Sequence, residues 1–193
     1  MLQLAFRLAI GAVLLSALFA SPPAGASILV ALDLQELAAE SDRIAVGRVV
    51  FTEPVRLDSG TIRTRCRILV EQELRGFDDS EIIVETLGGQ IGTLGMRVAG
   101  AASLALGDRV VVFAKGDGAL TFRPVGMAQG VMRIKREDGR DLVSPSNGGA
   151  LLVRSDERGT MVKSTGPLAD PEPLDRFLSR VREMVQGQRG DAP

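Results

Sequence analysis

Histidine, tryptophan and tyrosine are absent from this 193-residue chain, and cysteine occurs once, at Cys66. Without histidine there is no imidazole for a Ser-His-Asp or Cys-His arrangement, and none for an ordinary zinc site. One cysteine excludes an internal disulfide, so the fold must cohere through buried apolar side chains. A thiolate would also lack a histidine partner to activate it, which makes Cys66 a buried, inert thiol by default. Aromatics make up only 4% of the chain. That removes the stacking platforms on which single-stranded nucleic acids are held. The net charge is −1, with 23 Lys+Arg against 24 Asp+Glu. Such a balance exerts no strong pull on nucleic acid or an anionic membrane. The chain contains no Gly-x-Ser-x-Gly and no Ser-x-x-Lys motif. Lys163-Ser164-Thr165-Gly166 resembles one penicillin-binding motif but lacks its partners. Asp78, Asp79 and Glu81 lack the spacing of a calcium loop. These absences point to a non-enzymatic protein with no cofactor and no metal. Hydrolysis by paired carboxylates stays open as an alternative, because such pairs are assembled in space.

The amino-terminal stretch reads as an export leader. Arg7 precedes an apolar run from Leu8 to Ala20, Pro22 and Pro23 break it, and Ala24-Gly25-Ala26 forms a small-x-small cleavage site before Ser27. The run is too short for a stable membrane span, which needs about 20 apolar residues. No cysteine follows the cleavage site, which removes lipoprotein anchoring. The expectation is a periplasmic or secreted protein beginning at Ser27, with no stable membrane anchor. Residues 27–187 are expected as one domain and residues 188–193 as a disordered tail.

Asp33-Leu34-Gln35-Glu36 has the form of a capping box opening a short helix that ends near Ser41-Asp42. Strands are expected next. Arg43–Phe51 is apolar around Gly47, and turns are expected at Glu53-Pro54 and Asp58-Ser59-Gly60. Thr61–Glu71 alternates strictly, with Ile62, Thr64, Cys66, Ile68 and Val70 on one face and Arg63, Arg65, Arg67 and Glu71 on the other. Arg75–Asp79 reads as a loop and Glu81–Leu87 as a strand. Gly88–Gly100 reads as a bent strand or flap. Arg109–Lys115 and Leu120–Gly126 form a hairpin across Gly116-Asp117-Gly118. Further hairpins turn at Glu137–Arg140 and at Asp156–Gly159, extending the same sheet. Leu174, Phe177, Leu178, Val181 and Val185 make an amphipathic stripe, a helix stopping near Gly187. Phe51, Phe113 and Phe122 are expected in the core. The sum is a mainly β protein: an antiparallel barrel of OB-fold type, with a short helix before it and an amphipathic helix after it.

The succession Asp42–Val50, Ile68–Gly76, Gly88-Gly89-Gln90-Ile91-Gly92, Leu106–Phe113 and Val125–Gly130 resembles small exported bacterial proteins. It is similar to the netrin-like branch of OB-fold barrels, which includes the tissue inhibitors of metalloproteinases. The resemblance covers about residues 33–135 and implies a binding barrel. Those inhibitors use an amino-terminal cysteine held by disulfides to reach a protease zinc. Ser27 and the mid-strand Cys66 cannot supply that chemistry.

Two surfaces are candidates for contact. The first is the glycine-rich segment, with Gly88, Gly89, Gln90, Ile91, Gly92 and Leu94. It lacks the Gly-Lys-Ser/Thr ending of a phosphate loop, and no helix start follows it. The second is the cationic ladder Arg63, Arg65 and Arg67, for which a solvated face that protects the sheet is the preferred reading and a contact surface the alternative. Arg189-Gly190-Asp191 spells an adhesion tripeptide of a kind that recurs by chance. The expected function is a binding module for a protein partner, with a secreted protease as the first candidate. The alternatives are a small-molecule or glycan binder or hydrolase in the barrel mouth, and a structural envelope component.

Overall fold

A computed structural model describes residues 27–76, 78–116 and 121–190, apart from the side chains of 189 and 190. The leader of residues 1–26, Phe77 and the connection 117–120 lie outside the described residues, as does Asp191 of the adhesion tripeptide.

Five strands close a barrel. They are β2 (Arg43–Arg56), β3 (Ile62–Arg75), β4 (Glu81–Leu87), β7 (Arg109–Gly116) and β8 (Thr121–Pro124). Their order is β7-β2-β3-β4-β8, and β8 returns to β7. The β4–β8 contact is parallel and the other contacts of the ring are antiparallel. That connectivity, a meander whose third strand runs parallel to the fifth, is the OB-fold arrangement expected from the sequence. Closure leaves no free edge in the ring.

Strand β7 forks. It pairs with β8 through Ala114, Lys115 and Gly116, and with β9 (Val131–Glu137) through Arg109 to Val112. From β9 the sheet continues through β10 (Arg140–Ser144) to β13 (Glu172–Pro173). Asp138 and Gly139, both at positive φ, make the two-residue turn between β9 and β10. The hairpin of β11 (Leu151–Ser155) and β12 (Met161–Lys163) does not extend this sheet as the sequence suggested. It pairs instead with β1 (Ile28–Val30) in a separate three-stranded sheet.

The fork gives the protein two cores. Inside the barrel lie Ala45, Val49, Cys66, Ile68, Val84, Val110 and Val112. On the other side of the same strands, Ile44, Val46, Val111, Phe113, Met132 and Val143 face two helices, α1 (Leu34–Glu40) and α2 (Leu174–Gly190). The runs at Ile44–Val46 and Val110–Phe113 are apolar throughout because both of their faces are covered. Phe113 meets Phe177 edge to face, with ring centroids 6.3 Å apart. Phe51, in contrast, is not a core residue: it is 46% exposed on the outer surface.

The helices follow local rules. The Asp33 side chain accepts from the Glu36 amide at 2.8 Å, and Glu36 accepts from the Asp33 amide at 2.7 Å, completing the capping box. Arg75 donates to the carbonyls of Ala38 and Ser41, closing the other end of α1. Phe177, Leu178, Val181 and Val185 are the buried stripe of α2. This helix runs through Gly187, expected as its stop, to Gly190; Gly187 is exposed and a Cβ there would meet nothing. Pro54 does not end β2 either. Beyond Arg48 that strand pairs only with β3, so a residue lacking an N–H is tolerated on its open side. No described helix is long and apolar enough to cross a membrane.

Candidate interaction site at the barrel mouth

The glycine-rich segment folds into a small hairpin, β5 (Gly89–Ile91) and β6 (Leu94–Met96), laid over one end of the barrel. Two glycines make the bend from β4. Gly88 has φ +93 and Gly89 φ +146, values that side chains rarely adopt. Space is equally restrictive: a Cβ on Gly88 would sit 2.7 Å from the Met96 carbonyl oxygen, and one on Gly89 2.6 Å from Thr64 Oγ1. The hairpin is strapped down at its base. Thr64 Oγ1 donates to the Gly88 carbonyl at 2.7 Å, and the Gly88 amide donates to Ile62 at 2.9 Å. The Ile62 amide in turn points at Met96 Sδ, 3.2 Å away.

The tip is free of such constraints. Gly92 and Gly95 would meet nothing if given a Cβ. Ile91 and Leu94 face each other across the two strands and are 37% and 46% exposed. Gln90 is exposed, and its amide donates to the Gly92 carbonyl at 3.0 Å. The result is an apolar tip on a braced base.

Behind the hairpin lies a cleft of about 380 Å³. Its polar lining includes Thr64, Thr86, Arg97, Ser103, Arg133 and Ser146, and no carboxylate lines it among the described residues. Gly100 fixes the far wall: its amide donates to Gly148 and its carbonyl accepts from Ala128, both at 3.0 Å. The barrel interior beneath is filled with apolar side chains.

Arg63, Arg65 and Arg67 lie on the other face of β3 from Thr64, and so do not join the hairpin in one patch. They are also not an open cationic ladder. Glu85 on β4 bridges Arg63 at 3.2 Å and Arg65 at 2.9 Å, and Arg67 reaches Glu81 at 3.7 Å. The Arg67 guanidinium sits 5.3 Å from the centre of the Phe51 ring. Burial alone would raise the Glu85 pKa, but the hydrogen bonds and charges of Arg65 and Arg63 hold it below the ordinary carboxylate value. The sequence pattern located these arginines on one face but could not see the acids of the neighbouring strand.

Cys66 is fully buried inside the barrel. Burial, with a smaller contribution from the Asp108 charge, pushes its pKa from 9.0 up to about 12. A thiol so placed is neutral and not nucleophilic at neutral pH. Among the described residues, no group of three or more cysteines and carboxylates is arranged to hold a metal ion. No local sequence pattern marks Arg97, Ser103 and Arg133 as cleft residues. They lie far apart in the chain, and only the fold brings them to one wall. Compared with known proteins, the chain matches no family model and no curated protein.

Proposed function

We propose that this protein is an exported, non-enzymatic binding module that engages a protein partner through the β5–β6 hairpin at its barrel mouth. The observation that carries the reading is the pairing of exposed Ile91 and Leu94 at the tip of a hairpin whose base is fixed to β3. Apolar side chains on a rigid support bind with little ordering cost, which is what a contact surface needs. The absence of histidine and of carboxylates from the cleft supports binding rather than catalysis. The five-strand barrel is compatible with the netrin-like resemblance, and that resemblance makes a secreted protease the first candidate partner. Any such contact would use the hairpin, since Ser27 lacks the chemistry of an amino-terminal cysteine.

The test is capture from periplasm or culture medium on the immobilised protein, beside an Ile91→Ser/Leu94→Ser variant. Truncated anchors cost about 1–2 kcal/mol each at a well-packed interface. The wild type should therefore enrich a specific protein and the variant should lose it. No enriched protein, or equal enrichment on both, would overturn the reading.

A further inference from the structure

A second cleft, of about 350 Å³, opens beside the turn at Gly107-Asp108. Its walls carry Arg48, Arg109, Arg133, Lys135 and Arg136. The register places Arg48 directly opposite Arg109, a like-charge pair that a sheet does not favour. Carboxylates relieve the repulsion without cancelling it. Glu71 lies 2.6 Å from Arg109 and 3.7 Å from Arg48, Asp141 lies 2.5 Å from Arg109, and Asp108 lies 2.6 Å from Arg133. Five cations thus face three carboxylates, in a chain whose net charge is −1. Lys135 has no ion pair among the described residues. Neither has Arg97 in the cleft at the barrel mouth.

The two clefts share a residue. Arg133 lines both, with Nη1 on Asp108 and Nη2 donating to the Ser103 carbonyl at 2.5 Å. Cations therefore run from Arg97 through Arg133 to Lys135, interleaved with hydrogen-bonding groups: the hydroxyls of Thr64, Ser103 and Ser146, and the carboxylates of Asp108 and Asp141.

We infer that this track binds an acidic polysaccharide, a chain whose carboxylates are spaced by hydroxyl-bearing rings. The cations match the spaced charges, and the interleaved hydroxyls and carboxylates match the ring hydroxyls. A nucleic acid fits less well. Its phosphates form an unbroken anionic line that would meet Asp108 and Asp141, and no aromatic side chain lines either cleft for its bases to stack on. The inference is independent of the protein partner proposed above.

The probe is polygalacturonate, titrated into the purified protein at low and at high salt, with neutral dextran and oligothymidylate as comparators. Polygalacturonate should bind, and binding should weaken as salt rises. Arg97→Glu and Lys135→Glu remove exposed charges that have no partner to orphan, so both variants should keep the wild-type melting temperature. Each should weaken binding about three- to fivefold, the scale of one exposed charge contact, and together more than either alone. Arg97→Gln and Lys135→Gln should weaken it less. Failure to bind, equal binding of dextran, tighter binding of oligothymidylate, or unchanged affinity in the double variant would each overturn the inference.

Discussion

Arg43 is 2% exposed and grips Glu73 at two points, with Nη2 2.7 Å from Oε2 and Nε 3.2 Å from Oε1. The pair ties the start of β2 to the end of β3, where the barrel meets the helical layer. Asp79 adds a contact at 3.1 Å from the exposed side, and the Phe122 ring lies 5.6 Å from the guanidinium carbon. Removing Glu73 takes the two-point acid from a desolvated guanidinium and leaves Asp79, an exposed carboxylate that holds it at one point. Glu73→Gln should therefore lower unfolding free energy by about 3 kcal/mol in urea titrations. Asp79→Asn should change it by less than about 1 kcal/mol, because that contact is solvent-screened. Replacing Arg43 and Glu73 together by apolar residues should cost less than the sum of the single changes.

Glycine positions of similar appearance in the sequence should respond very differently. A Cβ on Gly47 would lie 2.5 Å from the Leu69 carbonyl oxygen and 2.6 Å from Ile68 Cγ2, at a register shift between β2 and β3. Neither neighbour can withdraw without disturbing the ladder. Gly47→Ala should cost about 3 kcal/mol or more by overpacking. Gly95 in β6 meets nothing within 4 Å, so Gly95→Ala should fall within about 0.5 kcal/mol of wild type. Thermal melts of the two variants compare them directly. Equal effects would contradict the close approach of β2 and β3.

Sequence patterns located the elements whose signal is local. The alternation from Ile62 to Val70, the Asp33/Glu36 capping box and the stripe from Leu174 to Val185 each repeat within a few residues. Elements defined by a distant partner left no such trace. Strand β1 exists because Ile28–Val30 lies beside Leu151–Val153, and β13 because Pro173 lies beside Leu142. Neither is long enough to show a period. The glycine-rich segment has the sequence of a bent strand or flap, and the bend is present, but the hairpin within it depends on anchoring by Thr64 and Met96. The pairing of Arg63 and Arg65 with Glu85, and the cleft around Arg97 and Arg133, arise from strand register and chain crossing. Alternation along one strand contains neither.

Besides its ladder to β11, the amino-terminal segment is held by one side chain. Gln129 is 1% exposed; its Oε1 accepts from the Leu32 amide at 2.9 Å, and its Nε2 donates to the Val30 carbonyl at 3.0 Å and to Gly126 at 3.3 Å. Gln129→Leu would leave those three backbone groups without these partners. The expected loss is about 2 kcal/mol, the scale of buried polar groups stripped of their hydrogen bonds. Hydrogen exchange should accelerate at Leu32 before it does in β3. Uniform acceleration across the barrel would show that Gln129 supports the whole fold rather than the amino-terminal strand.

The raised pKa of Cys66 gives stability a defined alkaline dependence. In the folded chain the thiol stays neutral up to about pH 12, whereas an exposed thiol ionises near 9.0. Folding therefore favours the protonated form. That contribution is complete below about pH 9 and is lost as pH rises from there toward 12. Cys66→Ala lacks the titrating group and leaves a small cavity, costing about 1 kcal/mol at neutral pH. Urea unfolding between pH 7 and 11 should show the wild type losing its advantage over the variant above pH 9. The same burial makes native Cys66 unreactive toward thiol reagents except through opening of the barrel, so modification should speed up with urea in step with unfolding. Rapid labelling of the native protein at pH 8, or parallel stability curves for the two proteins up to pH 11, would place the thiol outside the barrel interior.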